Sequence, residues 1–597
     1  MRIPGKSDSQ NQWGLTGFID SAKGRLAIHF MKYLGFRFLV LLGCWVVLAQ
    51  AGLSKLPNVV LIMTDDQGYS DVGFNGNPHL DTPVLDRFAE GATVFDQFYA
   101  SPVCSPTRAS LMTGRSALKT GVIDTQEGRS ILRPDEVTIA EVLKEAGYRT
   151  GMFGKWHLGD NAPARPIDQG FDTSLTHVGG MIGAPYSPLG RDNYFDAPLL
   201  ENGVEREFEG YCVDVFTDAA VEFVESSKDA PFFVYWAPNT PHHPLTVADS
   251  YADPYRKVGL SEETARFYGM ITNIDDNFGK LLGAIEDAGE TDNTLFIFLG
   301  DNGTSSLHKQ SDLWESGLRG RKTYVYENGI RVPAFIKLPG AKGKGKRLET
   351  VGSVEDLMPT ILDVCKVPFP RSVSFDGKSL LPLLSDSKAD WPERIFYYQF
   401  HRGVKPIKYR NVAVRSGDYK LVQAVGRGIE PYSLETAKFE LYDLGRDPLE
   451  TDDIASKRPE VVERLKKRYD SWFEDVMSSG FEPVRTWVGS ARENPVLLSR
   501  QDWKGGGLFD GDNGVFDLNV KTAGIYRIAC RWSEILNATH PVTMKIGDKV
   551  FTKEILYAES ECRFDEIELE AGPFSFEAFM EIDGKPNGFR FVEIEKL

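Results

Sequence analysis

From Asn58 onward, short apolar runs alternate with stretches in which apolar residues recur at helical spacing. The runs at 59–63, 150–153, 232–236 and 295–299 predict strands, and the periodic stretches at 138–146, 213–226, 265–288 and 354–364 predict helices. Alternation of this kind gives βα units and a mostly parallel central sheet with flanking helices. The texture changes near 393. Runs at 394–398, 411–415, 419–422 and 440–443, followed by a helical stretch near 459–477, predict a small antiparallel sheet with a helix over 393–480. Beyond 485 the pattern becomes apolar-polar alternation at 516–520, 526–532, 564–569, 574–582 and 589–594, as in half-buried strands, so 485–597 reads as an extra β-sandwich.

In open α/β sheets ligands bind beyond the carboxyl ends of the strands, so the polar residues there are the ones to read. Asp65 and Asp66 follow the first strand, Lys155 and His157 the second, His242 and His243 the third, and Asp301 and Asn302 the fourth. Singly, each has an ordinary explanation as a cap, a turn or a surface charge. Four strand ends carrying charged or ligating groups point to one site. Paired carboxylates and an amide, without clustered histidine or cysteine, suit a hard cation such as calcium or magnesium.

A further motif lies off the strands. Cys104-Ser105-Pro106-Thr107-Arg108 precedes Ala109-Ser110-Leu111-Met112-Thr113-Gly114-Arg115. Proline is favoured in a first helical turn, which places Cys104 at a helix N-terminus, where free backbone N–H groups suit an oxyanion. Arg108 adds a planar cation about one turn later. A thiolate phosphatase would need arginine six positions after the cysteine, where Ser110 stands.

Together with Gly154-Lys155-Trp156-His157-Leu158-Gly159, Asn239-Thr240-Pro241-His242-His243-Pro244 and the segment from Lys322 to Pro333, this motif resembles the type I, formylglycine-dependent sulfatases of the alkaline-phosphatase superfamily, the arylsulfatases among them. The resemblance covers about 57–480. It implies a catalytic α/β domain at 57–392 with its C-terminal subdomain at 393–480. It also implies oxidation of Cys104 to formylglycine by a formylglycine-generating enzyme or an equivalent maturase, and one calcium held by Asp65, Asp66, Asp301, Asn302 and the modified residue 104. Arg108, Lys155 and Lys322 then polarise the sulfate, with Lys155, His242 and Lys322 binding it. His242 serves the leaving oxygen. One hydroxyl of the aldehyde hydrate attacks sulfur to give a sulfoenzyme, and His157 takes the proton of the other as sulfate leaves. Asn328 departs from the family pattern, which has glycine there, while the spacing from Lys322 to Tyr326-Glu327 is kept. Asn302-Gly303-Thr304 also fits a glycosylation sequon, which a metal ligand could not serve.

Composition narrows the partners. Residues 1–51 resemble an export leader, with Lys32 and Arg37 ahead of an apolar run at 38–48 and Ala49-Gln50-Ala51 as a cleavage site, and 41–44 faintly resembles a lipoprotein box. The run is shorter than the roughly 20 residues of a membrane span, so no stable span is expected after cleavage. The chain carries a net charge of −17, and loss of the leader's excess of four positive charges takes this to −21. That charge argues against nucleic acid. A secreted or periplasmic enzyme acting on sulfated carbohydrates or aryl sulfates is the expectation, with Arg191, Arg319 and Arg321 as further contacts for anionic groups. A phosphate or phosphonate ester hydrolase of the same superfamily and an exported glycan-binding protein are the alternatives. In the terminal module Cys530 and Cys562 are candidates to pair in an exported protein, a pairing that sequence does not fix, and Trp487, Trp503 and Trp532 are either core or sugar platforms.

Overall fold

Along the strand Asn58–Thr64, Val59, Leu61 and Met63 pack on one side and Val60 and Ile62 on the other, and every residue of the strand is buried. A strand buried on both faces has no place for a polar position, which is why the sequence shows a continuous apolar run there. On the first face lie Ala109, Leu111 and Met112 of the helix Cys104–Thr113 and Leu357, Met358 and Ile361 of the helix Leu357–Val364. On the second lie Val213 and Phe216 of Cys212–Ser226 and Phe267, Ile271, Ile274 and Phe278 of Glu262–Asp287. Each of the larger of these side chains contributes roughly 1.5–3 kcal/mol on burial, so both helical layers are needed to hold the sheet.

The computed structural model describes residues 55–597 apart from 184–193, 306–311, 344, 508–510 and 533–535. The leader at 1–51 and Arg191 lie outside the described residues. The main sheet has ten strands in the order Lys346–Leu348, Thr93–Phe95, Ala334–Lys337, Thr294–Gly300, Asn58–Thr64, Phe232–Ala237, Arg149–Gly154, Thr173–Thr176, Pro198–Glu201 and Val204–Glu207. The five from Thr294–Gly300 to Thr173–Thr176 run parallel, and antiparallel pairings flank them. Thr64 stands opposite Gly300 and Gly154 opposite Ala237, so neighbouring strands end level with one another.

Backbone bonds then tie the loops beyond those ends. Asp65 N donates to Thr240 O (3.1 Å), Lys155 N to Ala237 O (2.7 Å) and Asp301 N to Thr64 O (3.1 Å). The close approach at Lys155 depends on Gly154, which has φ +119° and whose added Cβ would lie 2.0 Å from Ala237 O. Gly154→Ala therefore combines backbone strain with a clash against backbone, and should destabilise the chain by about 3 kcal/mol or more. An unchanged thermal unfolding midpoint would contradict this.

The second region has the expected form. Ile395–Gln399, Val412–Ser416, Tyr419–Gln423 and Glu440–Asp443 form one antiparallel sheet, and Leu465, Tyr469 and Phe473 of the helix Pro459–Ser478 pack on its Val412, Val414, Leu421 and Leu441. The terminal module is a sandwich of a six-stranded and a four-stranded sheet. Its hairpin of His540–Ile546 and Lys549–Ile555 went unread in the sequence, because the second strand is an edge with only Ile555 buried and lysines facing out. Cys530 stands opposite Cys562 on adjacent strands, both buried and both free cysteines rather than a disulfide in this structure. Trp503 is core and Trp532 packs against that core, whereas Trp487 is half-buried between Lys521 and Arg492. Among the described residues no helix is long and apolar enough to cross a membrane.

Candidate active site

The helix Cys104–Thr113 opens at Cys104 after an extended Val103, and all ten of its residues are buried. Arg108, one turn in and fully buried, does not project into open space. It donates to Lys155 O (2.7 Å), Tyr235 Oη (3.3 Å) and Asp301 Oδ2 (2.8 Å), joining the helix to three strands or strand ends. A guanidinium suits this work because its planar fork reaches several acceptors at once.

Around that arginine the strand-end residues converge. Lys155 Nζ donates to Asp65 Oδ2 (2.7 Å), Lys322 Nζ lies 2.5 Å from Asp66 Oδ1, and Asn302 Nδ2 donates to Asp66 Oδ1 (2.8 Å). Asp301 Oδ1 accepts from Asp66 N (3.0 Å). Asn302 is fully buried, which removes it as a glycan acceptor. Two site residues, Asp66 and His157, hold left-handed backbone with φ 65° and 59°, an uncommon state for residues other than glycine.

The cluster contains oxygens that the protein leaves unsatisfied. Asp65 Oδ1, Asp66 Oδ2 and Asn302 Oδ1 are buried without a hydrogen-bond partner. Buried polar atoms are nearly always paired, so three orphans in one cluster call for a group from outside the chain. Ligand atoms of Asp65, Cys104 and Asp301 lie within 4.8 Å of one another, as do those of Asp65, Asp66 and His242. An oxygen-rich set of this kind fits calcium.

Electrostatics agree with that fit. Burial, and then the Asp65 charge, push the Asp301 carboxyl up to about 6. Burial would raise Asp66 too, but Lys322, His242 and Lys155 together hold it well below the usual carboxylate range. The Cys104 thiol is pushed up by burial, so as a thiol it is a poor nucleophile at neutral pH.

The two histidines differ in what their ring nitrogens face. His157 Nε2 lies 3.0 Å from Thr125 O, which can only accept, so that nitrogen carries the proton and Nδ1 keeps the lone pair. Nδ1 is 3.4 Å from Cys104 Sγ. Burial and Lys155 hold His157 well below its ordinary value, and a neutral ring with its lone pair on residue 104 is arranged as a base. His242 Nδ1 faces His243 O at 2.8 Å, leaving Nε2 toward Asp66 Oδ2 at 3.6 Å. Burial and Lys322 push His242 down to about 3, so an acid role requires Nε2 to gain a proton. Tyr194 Oη fixes this loop by donating to His242 O (3.0 Å) and His243 O (3.2 Å).

All ten residues expected at the site are thus brought together. Asn328 is accommodated in place of glycine by donating to Gly320 O (3.1 Å) and Glu315 Oε1 (3.3 Å). Arg319 and Arg321 are engaged within the protein, Arg319 over the Tyr326 ring at 3.8 Å and on Tyr442 Oη at 2.6 Å, Arg321 on Glu315 at 2.8 Å. The expectation that they meet substrate anions therefore finds no support. Sequence reading missed His177, which follows the parallel strand Thr173–Thr176, is buried, and leaves Nε2 without a partner. The strand reads Thr-Ser-Leu-Thr, too polar to announce itself, and its position after a fifth strand end was the missing signal.

Comparisons with known proteins agree with this geometry. Residues 57–367 match the family model described as Sulfatase, and 318–474 match the model of the C-terminal region of N-sulphoglucosamine sulphohydrolase. The chain is 32% identical to human arylsulfatase A over 474 residues, covering 70% of this chain and 88% of that one. It is 33% identical to mouse N-acetylgalactosamine-6-sulfatase over 378 residues, covering 59% and 70%. Among solved structures it is similar to Ps i-CgsB in complex with k-i-k-neocarrahexaose, with a TM-score of 0.63, 27% identity, and coverage of 72% of this chain and 95% of that one.

Proposed function

Since the chain belongs to the sulfatase family and is a sulfuric ester hydrolase, we propose that it cleaves sulfate monoesters of carbohydrates outside the cytoplasm, with Cys104 converted to formylglycine. The observation that carries this reading is the cluster of buried residue 104, three buried carboxylates and buried Lys155, closed by the half-buried Lys322. Calcium, held by Asp65, Asp66, Asp301, Asn302 and residue 104, would supply Lewis-acid polarisation of a sulfate oxygen.

The chain's own residues do the rest. Lys155 and Lys322 each already meet a carboxylate, so their charges are fixed in place before substrate arrives, the condition under which such groups contribute most. Arg108 holds Asp301 and the Lys155 backbone, and so sets where both strand ends stand relative to residue 104. His157 takes a proton from residue 104 at Nδ1. His242, oriented by its Nδ1 contact with His243 O, serves the leaving oxygen once Nε2 gains a proton. The alcohol half of the substrate is read as carbohydrate because one relative, N-acetylgalactosamine-6-sulfatase, carries a sugar in its name and one similar structure holds a neocarrahexaose.

The alternative chemistry, hydrolysis of phosphate or phosphonate esters, is separated from this one by assay. The test is sulfate release from a panel of defined sulfated oligosaccharides and an aryl sulfate, beside the matching phosphate esters, with calcium and with zinc. Sulfate release supported by calcium is expected. Preference for phosphate esters with zinc would overturn the reading. The glycan-binding alternative falls with the enzyme assignment.

A further inference from the structure

The terminal sandwich reaches into the active site through one side chain. Gln501, in the turn after the strand Val496–Ser499, is 2% exposed, and its Nε2 donates to Thr125 O and to Ser130 Oγ (3.2 Å). Thr125 O is the same carbonyl that receives His157 Nε2–H, and the two donor nitrogens lie 3.5 Å apart. Both carry hydrogen, so they do not bond to each other. They share one acceptor.

The backbone is gripped as well. Gly128 N donates to Gln501 O (3.2 Å), and Gly128, at φ +64°, approaches so closely that an added Cβ would lie 2.8 Å from Asp502 O. The loop that presents the Thr125 carbonyl is therefore seated on the sandwich over several contacts. We propose that Gln501 is a positioning residue for His157: it fixes the direction of the Thr125 carbonyl, which fixes the imidazole with Nε2–H outward and the Nδ1 lone pair on residue 104. On this view the sandwich is a structural part of the active site as well as an appended module.

The inference rests on the reading of His157 as the base at residue 104. Catalytic geometry is sensitive here, since a misplacement of about 1 Å can cost on the order of 100-fold. Gln501→Met keeps the side chain's length and removes its donor. If His157 acts only when residue 104 sheds its proton, after the ester has been cleaved, slowing that step lowers kcat and KM together. We expect kcat to fall about tenfold with kcat/KM held within about twofold, because the groups that bind and cleave the ester are untouched.

A loss that is merely structural would lower kcat/KM along with kcat, and that outcome would overturn the proposal, as would unchanged kinetics. A second readout does not use activity. In a crystal structure of Gln501→Met, the His157 Nε2 to Thr125 O contact should be lost or lengthened, and a ring left in place at 3.0 Å would also overturn it. Thermal unfolding of the same variant verifies that it is folded. Failure of the underlying reading looks different: wild-type protein then releases no sulfate, or His157→Ala retains full activity.

Discussion

Cys104→Ala should give a folded protein whose sulfate release is lower by a factor of about 10⁴ or more, since removal of a covalent nucleophile leaves only binding and charge stabilisation. The substitution deletes one buried sulfur at the start of a helix whose other nine residues remain packed, so its cost in stability should be about 1 kcal/mol. Calcium-dependent stabilisation should weaken without vanishing, because Asp65, Asp66, Asp301 and Asn302 are still present. The companion measurement is the mass of the peptide containing residue 104 in wild-type protein. Specific activity should scale with the fraction carrying the aldehyde, because burial holds the unconverted thiol protonated. Activity above a tenth of wild type in Cys104→Ala would mean that another group attacks sulfur.

Asp301→Ala should be the more damaging change to the fold. Asp301 is fully buried and accepts from Arg108 (2.8 Å) and from the backbone N–H of Asp66 (3.0 Å). Its removal leaves a buried guanidinium short of its partner, a loss of about 3–5 kcal/mol in comparable buried pairs. It also removes one oxygen ligand from the cluster. Wild-type protein should gain about 2.7 kcal/mol at a calcium concentration 100 times its dissociation constant, and the variant should gain far less. Asp301→Asn separates the two effects, since it keeps an acceptor for Asp66 N–H and discards the charge. Both variants should lose sulfate release by on the order of 100-fold or more. If thermal midpoints of wild type and Asp301→Ala rise equally with calcium, Asp301 is not a ligand.

Much of this site was legible because strand ends are a local property. The runs ending at Met63, Phe153, Trp236 and Leu299 announce their own termini, and the candidate site residues follow a few positions on. Lys322 is different: it sits in an irregular segment ahead of the helix Glu327–Ile330, and only the family resemblance singles it out. Its contact with Asp66 spans 256 positions of chain, which no periodicity encodes. Arg108 shows the limit most plainly. Its charge and helical position were readable, yet its commitment to Asp301 and the Lys155 carbonyl was not.

What the sequence determined by itself, then, was the kind of layers, the helix start at Cys104 and the chemical inventory at the strand ends. These follow from interactions within a few residues: side-chain period, proline in a first turn, and glycine where φ must be positive. Tertiary structure alone decided which oxygen each cation takes, which three oxygens stay unsatisfied, and that a glutamine 344 positions away shares the carbonyl anchoring His157. Those outcomes depend on how separate layers pack, and packing directions are set by the whole core rather than by any one stretch of chain.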